Sequence, residues 1–208
     1  MIEKDSFKVF LANSGTDCEV PFLKKLKDLS DEVCPVVKDR RTGAEFPVLA
    51  ALVDHKLKEL DYKLAVSHEV EFIGYNHPDG KRTYLRSLCF VLQNAVRRIY
   101  PDKVLIINHS LPSGLYCTIC EKEPLEDGRR AVHELDDKAL EELKGEMRSI
   151  VSADLPFNKV KMEAAAAEEL FLANGQPDKA ALLKSLGMLI CSVYYLDGQA
   201  DTFHGPLL

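Results

Sequence analysis

Leu85, Leu88, Leu92, Ala95, Val96 and Ile99 recur every three or four residues. That spacing puts all six on one face of a helix. The pattern is bounded on both sides. Asn76-His77-Pro78-Asp79-Gly80 is the clearest loop in the chain, because Pro, Gly and Asn punctuate regular structure. Pro101 ends the helix, since the residue before a proline is pushed out of the helical region. An amphipathic helix must bury its apolar face against a second element. The chain therefore reads as two parts, with a boundary near this loop.

The part before the loop is rich in strands. Phe7 to Leu11 and Cys18 to Phe22 read as paired strands around the turn Asn13-Ser14-Gly15. Phe22, Leu23, Leu26 and Leu29 then follow helical spacing among lysines. Asp39-Arg40-Arg41-Thr42-Gly43 is polar and turn-like. Phe46 to Val53 is a short buried-strand candidate, Asp54-His55 a tight turn, and Val70 to Ile73 a further strand. Strands with one helix over about 70 residues suit a small α+β domain.

After the boundary helix, Val104 to Ile107 and Leu115 to Ile119 read as strands joined by Pro112-Ser113-Gly114. Leu140, Leu143, Met147, Ile150 and Val151 mark a second amphipathic helix, broken at Asp154-Leu155-Pro156. Met162 to Leu172 reads as a third helix, rich in strong helix formers and stopped by Asn174-Gly175. Pro177 opens a fourth, and Met188 to Leu196 reads as a strand.

Composition excludes several classes. Hydrophobic residues make up 46% and charged residues 29%, the balance of a globular chain. No apolar run approaches the ~20 residues of a membrane-spanning helix, and Met1 to Asp5 lack the basic start and apolar stretch of a signal peptide. Six scattered cysteines without an export signal are expected to be reduced thiols in the cytoplasm. The net charge of -6 argues against a generic polyanion binder.

The motifs exclude more. There is no GxxxxGK[ST], GxGxxG or HExxH. Cys117-Thr118-Ile119-Cys120 is a lone CxxC without the second pair of ligands that zinc requires. On a strand its two thiols would point to opposite faces. No histidine pair has HxxxH or HxH spacing. Lys81, Arg82, Arg86, Arg97, Arg98 and Lys103 form the one basic concentration. It reads either as a solvated face or as a phosphate or RNA surface. The lack of interleaved aromatic residues weakens the RNA reading.

A family resemblance enters at this point. Ala50 to Leu60 resembles the second half of a TGS domain, the β-grasp module named after synthetases and GTPases. Arg86 to Asp102 resembles the first helix of the threonyl/alanyl-tRNA synthetase editing domain, and Met147 to Phe157, Glu168 to Phe171 and Val193 to Pro206 resemble its later segments. The resemblance implies an α+β chain: a TGS-like β-grasp domain over 1–72, then an editing-domain-like α+β domain over 73–208, with residues 33–45 as an insertion. Arg82 to Leu88, Asn108 to Cys117, Asp154 to Phe157 and Phe203 to Leu207 further resemble the extension that precedes the P-loop domain of bacterial nucleoside (uridine) kinases. That narrower likeness implies a non-catalytic regulatory or binding region. Its partner would be a downstream kinase domain in cis that carries ATP and Mg, and the chain would be a truncated or isolated extension.

The editing family carries HxxxH on its first helix and CxxxH near its end. Carried over, those positions fall on Arg86, Phe90, Phe203 and Leu207, none of which can ligate a metal. No metal or cofactor is therefore expected in this chain. If the fold is kept, Arg86 would face a remodelled cleft bordered by His109, Ser110, Tyr116, Asp201 and His204. Asp201 is then the expected partner of Arg86, since a buried unpaired charge is costly. The other expectation is that Arg86 receives a small nucleotide-like ligand. The remaining readings are an RNA- or tRNA-binding adaptor, not favoured by the net charge, and a metal-free relic of an aminoacyl-tRNA deacylase.

Overall fold

The computed structural model describes residues 6–39, 41–112 and 114–208. Met1 to Asp5, Arg40 of the expected polar turn and Ser113 of the expected 112–114 turn lie outside the described residues. The chain forms two compact units, residues 1–87 with 204–208 and residues 88–203.

In the first unit, β1 (Ser6–Leu11) and β2 (Thr16–Pro21) pair antiparallel, with Phe7 opposite Val20 and Val9 opposite Cys18. Asn13 in their turn ties it to β9 (Glu69–Ile73): its amide donates to the Phe72 carbonyl at 2.9 Å and accepts from the Phe72 N–H at 2.7 Å. β1 and β9 are parallel, and the five-stranded sheet runs β2-β1-β9-β6-β7. Here β6 is Ala50–Val53 and β7 is Lys56–Lys58. Asp54 and His55 between them both have positive φ, 46° and 61°, the type I′ turn that matches strand twist. The Asp54 carboxylate accepts from the Glu69 N–H at 3.0 Å and meets His68 at 2.6 Å.

The expected helix from Phe22 starts later. Leu23 takes a positive φ of 62°, β3 (Lys24–Lys25) pairs with β8 (Lys63–Leu64), and only then does α1 (Leu26–Val33) begin. Leu26 and Leu29 from α1 enter a core with Val9, Val20, Ala51, Leu64 and Phe72. The expected 46–53 strand is two: β5 (Glu45–Pro47), paired with β4 (Val36–Lys38), and β6. Pro47 has no N–H to continue a ladder.

α2 (Pro78–Ile99) is the predicted boundary helix, and the division between units falls inside it. Its deepest residues are Thr83, Ser87, Phe90, Val91, Asn94, Ala95 and Val96, while Leu85, Leu88 and Leu92 are half-buried. The buried stripe is thus rotated from the leucine stripe. Small polar residues enter it by donating to the helix itself: the Ser87 hydroxyl donates to the Thr83 carbonyl at 3.0 Å and the Asn94 amide nitrogen to the Phe90 carbonyl at 2.9 Å.

The second unit holds two three-stranded sheets. The first runs β10-β11-β12, with β10 (Lys103–Leu111), β11 (Gly114–Pro124) and β12 (Arg130–His133). α3 (Asp137–Ser152) follows, capped by Asp136, whose carboxylate accepts from the Ala139 N–H at 2.7 Å. The second sheet runs β13-β14-β15, with β13 (Asn158–Glu163), β14 (Ile190–Leu196) and β15 (Gln199–Thr202). β13 corrects the expected third helix. Met162 belongs to the strand, opposite Cys191, and α4 (Ala164–Ala173) starts after it. α5 (Pro177–Leu186) begins at its proline and ends at Gly187, which is left-handed at φ 60°. Phe171, Ala180, Leu183, Cys191, Val193 and Ala200 form the core between these helices and the second sheet.

Candidate functional site

The expected cleft residues fall in both units. Arg86 and His204 belong to the first, and His109, Ser110, Tyr116 and Asp201 to the second. In the first unit Arg86 binds the C-terminal loop. Its Nε donates to the Pro206 carbonyl at 3.0 Å and a terminal nitrogen donates to the Thr83 hydroxyl at 3.1 Å. A methyl group on Gly205 would lie 3.0 Å from the guanidinium carbon, so the glycine makes room for the cation. The Leu208 N–H donates to the Ser87 hydroxyl at 2.9 Å, Leu207 is fully buried, and His204 is exposed.

Two of the four positions matched to metal ligands meet in the second unit. Phe90 and Phe203 have ring centroids 5.2 Å apart, and the Phe157 ring stacks on Phe90 at 5.9 Å. Aromatic packing occupies these positions, with no lone pair to offer a metal. Among the described residues, no group of three or more His, Cys, Asp or Glu could hold a metal ion.

Asp201, expected beside Arg86, has a different partner in its own unit. It sits on β15 with no solvent exposure, and one carboxylate oxygen is engaged by Lys179 of α5 and by the Thr202 N–H. Its other oxygen has no hydrogen-bond partner among the described residues. Burial pushes the Lys179 ammonium below its ordinary pKa, and Asp201 opposes that shift. Burial likewise lowers the Arg97 guanidinium, again opposed by Asp201. Arg97 donates to the Gln199 side-chain oxygen at 3.1 Å.

These groups line a cavity of about 520 Å³ in the second unit, within the ~300–1,000 Å³ of small-molecule and cofactor sites. Five cations line it, Arg97, Lys103, Lys122, Arg130 and Lys179, against two acids, Asp178 and Asp201. Local pairing holds several of them in place. Lys103 meets Glu121 at 2.8 Å and Asp102 at 2.9 Å, and Arg130 meets Asp178 at 3.1 Å. Lys122 donates to the Pro101 carbonyl at 2.5 Å. Gln176, which precedes α5, lines the same cavity, and both polar atoms of its buried amide lack a partner. Unsatisfied buried amides are rare in native proteins.

Of this site the sequence showed the basic residues Arg97 and Lys103, but not Lys122, Arg130, Lys179 or Gln176. No local pattern links them. They converge because β10, β11, β12 and α5 fold around one cavity. The signal nearest to hand was Gln176-Pro177, a helix start that presents a polar residue at its mouth.

No protein-family model matches the chain. It is similar to curated threonine--tRNA ligases: 29% identical over 175 residues to that of Desulforamulus reducens, 25% over 200 residues to that of Clostridium kluyveri, and 26% over 177 residues to that of Clostridioides difficile. These alignments cover 84%, 96% and 85% of the chain but only 26%, 29% and 26% of the relatives. The chain thus spans about a quarter of the length of the proteins it matches. The relatives correct the nucleoside (uridine) kinase reading: they are tRNA ligases, and nothing in them supports a kinase parent or ATP binding. The chain is homologous to the N-terminal region of threonine--tRNA ligases, a tRNA synthetase-related segment.

Proposed function

We propose that this chain is a tRNA-binding module, a metal-free relative of the TGS and editing region of threonine--tRNA ligases. The cavity of the second unit carries the reading: five cations line it, of which Lys103, Arg130 and Lys179 are ion-paired while Arg97 and Lys122 bond to neutral oxygens. A concave surface with excess positive charge takes up phosphate groups and releases their counterions. The buried Gln176 amide adds an unpaired donor and acceptor beside that charge, suited to a polar group such as a base edge or ribose. The homology supplies the class of RNA. Editing chemistry that depends on the metal has no place in this reading, because Arg86, Phe90, Phe203 and Leu207 stand where the ligands would be. The net charge of -6 does not oppose it, since five of the 27 basic side chains line this one cavity.

Binding of labelled tRNA, followed by anisotropy across a salt series, tests the proposal. Affinity should fall linearly on a log–log salt plot. Arg97→Ala and Lys103→Ala should weaken binding and each reduce the salt slope by about one where a phosphate contact is lost. Salt-insensitive binding, or none, would reject the reading. A second reading rests on the enclosed size of the cavity: a small nucleotide-like ligand. It predicts that a mononucleotide raises the melting temperature of the wild type but not of Arg97→Ala, while tRNA binds weakly.

A further inference from the structure

The β10–β11 hairpin leaves the cavity and carries a second surface feature. Its register slips between Ile107 and His109. Below the slip Ile107 lies opposite Cys117, and above it His109 lies opposite Tyr116, so Asn108 is the extra residue of a β-bulge. The Asn108 amide donates across the ladder to the Thr118 hydroxyl at 3.1 Å. Side chains alternate faces along a strand, so without the bulge Tyr116 would face Asn108 and His109 would lie on the other side. With it, the two rings stack, with centroids 5.2 Å apart and planes at 29°.

The stacked pair is open to solvent: Tyr116 is 49% exposed, and His109 and the neighbouring Ser110 are exposed too. Residues 104–120 contain no Asp, Glu, Lys or Arg, so the charged residues of the hairpin are confined to the end away from the stack. At its other end the same hairpin delivers Lys103 and Lys122 to the cavity. Lys122 lies six positions after Tyr116 on β11, roughly 20 Å at the rise of an extended strand. A single-stranded segment of a few nucleotides bridges that distance.

We propose that the His109–Tyr116 pair is a stacking platform for an unpaired nucleobase of an RNA strand whose phosphates lie toward the Lys122 end of the hairpin. The proposal rests on the tRNA-binding reading and adds a site to it. Every base has a π-face, so the platform is tolerant of sequence. The bulge pre-positions the rings, and the partner contributes only the base.

The test uses the full chain and a labelled single-stranded RNA oligonucleotide beside tRNA. Tyr116→Leu keeps an apolar side chain on the hairpin and removes the ring, and Tyr116→Phe keeps the ring. Tyr116→Leu and His109→Ala should weaken oligonucleotide binding by about 5- to 150-fold, the range of a lost base–aromatic stack, with an unchanged salt slope. Tyr116→Phe should bind within about twofold of wild type, because the stacking face is kept. If wild type binds RNA and Tyr116→Leu binds equally well, the platform is refuted and the tRNA-binding reading stands. If Tyr116→Leu lowers the salt slope as Arg97→Ala does, the hairpin acts through charge and the platform is also refuted. If wild type binds neither RNA, both proposals fall together.

Discussion

At the scale of single residues, the Lys179–Asp201 pair is the most consequential unit of charge. Asp201 has no solvent exposure, and Lys179 is its direct charged partner. Breaking a buried pair leaves one charge uncompensated, which costs about 3–5 kcal/mol. Lys179→Met and Asp201→Leu should each lower the denaturant midpoint by that order, while the double variant should recover most of the loss. The pH dependence follows from the depressed Lys179 pKa. A base whose folded pKa lies below its unfolded value costs stability while protonated in both states. The cost shrinks as pH rises through the folded pKa toward the unfolded one. Alkaline titration from neutral pH should therefore raise the Lys179 contribution to stability, and Lys179→Met/Asp201→Leu should lose that rise. Gly80 is a different kind of residue. A methyl group there would lie 2.0 Å from the Gly74 carbonyl oxygen, so backbone rather than a side chain would have to move. Gly80→Ala should destabilise the fold by about 1–3 kcal/mol, the range for overpacking, measured by urea unfolding.

Among the elements, α3 offers a clean measurement. The Asp136 carboxylate caps its start by accepting from the Ala139 N–H. Asp136→Ala should cost about 1 kcal/mol, and Asp136→Asn, which keeps the oxygen, should cost less. β13 shows where local pattern misleads. Lys159 to Glu163 has no strong strand signature, and Met162-Glu163-Ala164 joins smoothly to the alanine-rich run that follows. The strand exists because β14 offers it six paired positions, from Asn158 opposite Tyr195 to Glu163 opposite Ile190, and tertiary pairing overrides helix propensity. In α2, helix type and the stop before Pro101 were legible, but Pro78-Asp79-Gly80, read as loop, form the first turn of the helix. The depth of Phe90, Ser87 and Asn94 was not legible, because a polar residue can join a buried stripe only when a carbonyl is placed to receive it.

Across the whole molecule, no helix among the described residues is long and apolar enough to cross a membrane. The carboxylates held by hydrogen bonds are spread over both units. Asp39 and Asp54 in the first, and Asp102, Asp127 and Glu141 in the second, all sit below the ordinary carboxylate range, chiefly through bonds from backbone N–H groups or neighbouring cations. A depressed carboxylate pKa stabilises the fold above its unfolded pKa, and that stability is lost as pH falls through the folded value. Thermal stability should therefore drop on acidification below about pH 4, the ordinary carboxylate range, in a titration followed by circular dichroism. The purified protein should carry no stoichiometric zinc and should hydrolyse mischarged tRNA poorly. About one zinc per chain by elemental analysis would overturn the metal-free reading, with Cys117 and Cys120 the first ligands to examine.

The sequence by itself determined the elements with strong period and punctuation: β1, β2, α2, α3 and the Asp54-His55 turn. It also set the expectation of a lost metal set, because the side chains of Arg86, Phe90, Phe203 and Leu207 have nothing to donate to a metal. Both follow from local chemistry, which needs no neighbour. Only the tertiary structure decided which cation answers Asp201, because Lys179 and Asp201 are 22 residues apart and meet through the packing of α5 beside β15. The same holds for the cavity, whose basic side chains come from five elements, and for the His109–Tyr116 stack, which depends on one extra residue in a ladder. Convergence of distant side chains is a property of packing and register, and a one-residue slip in register changes the face on which every later side chain appears.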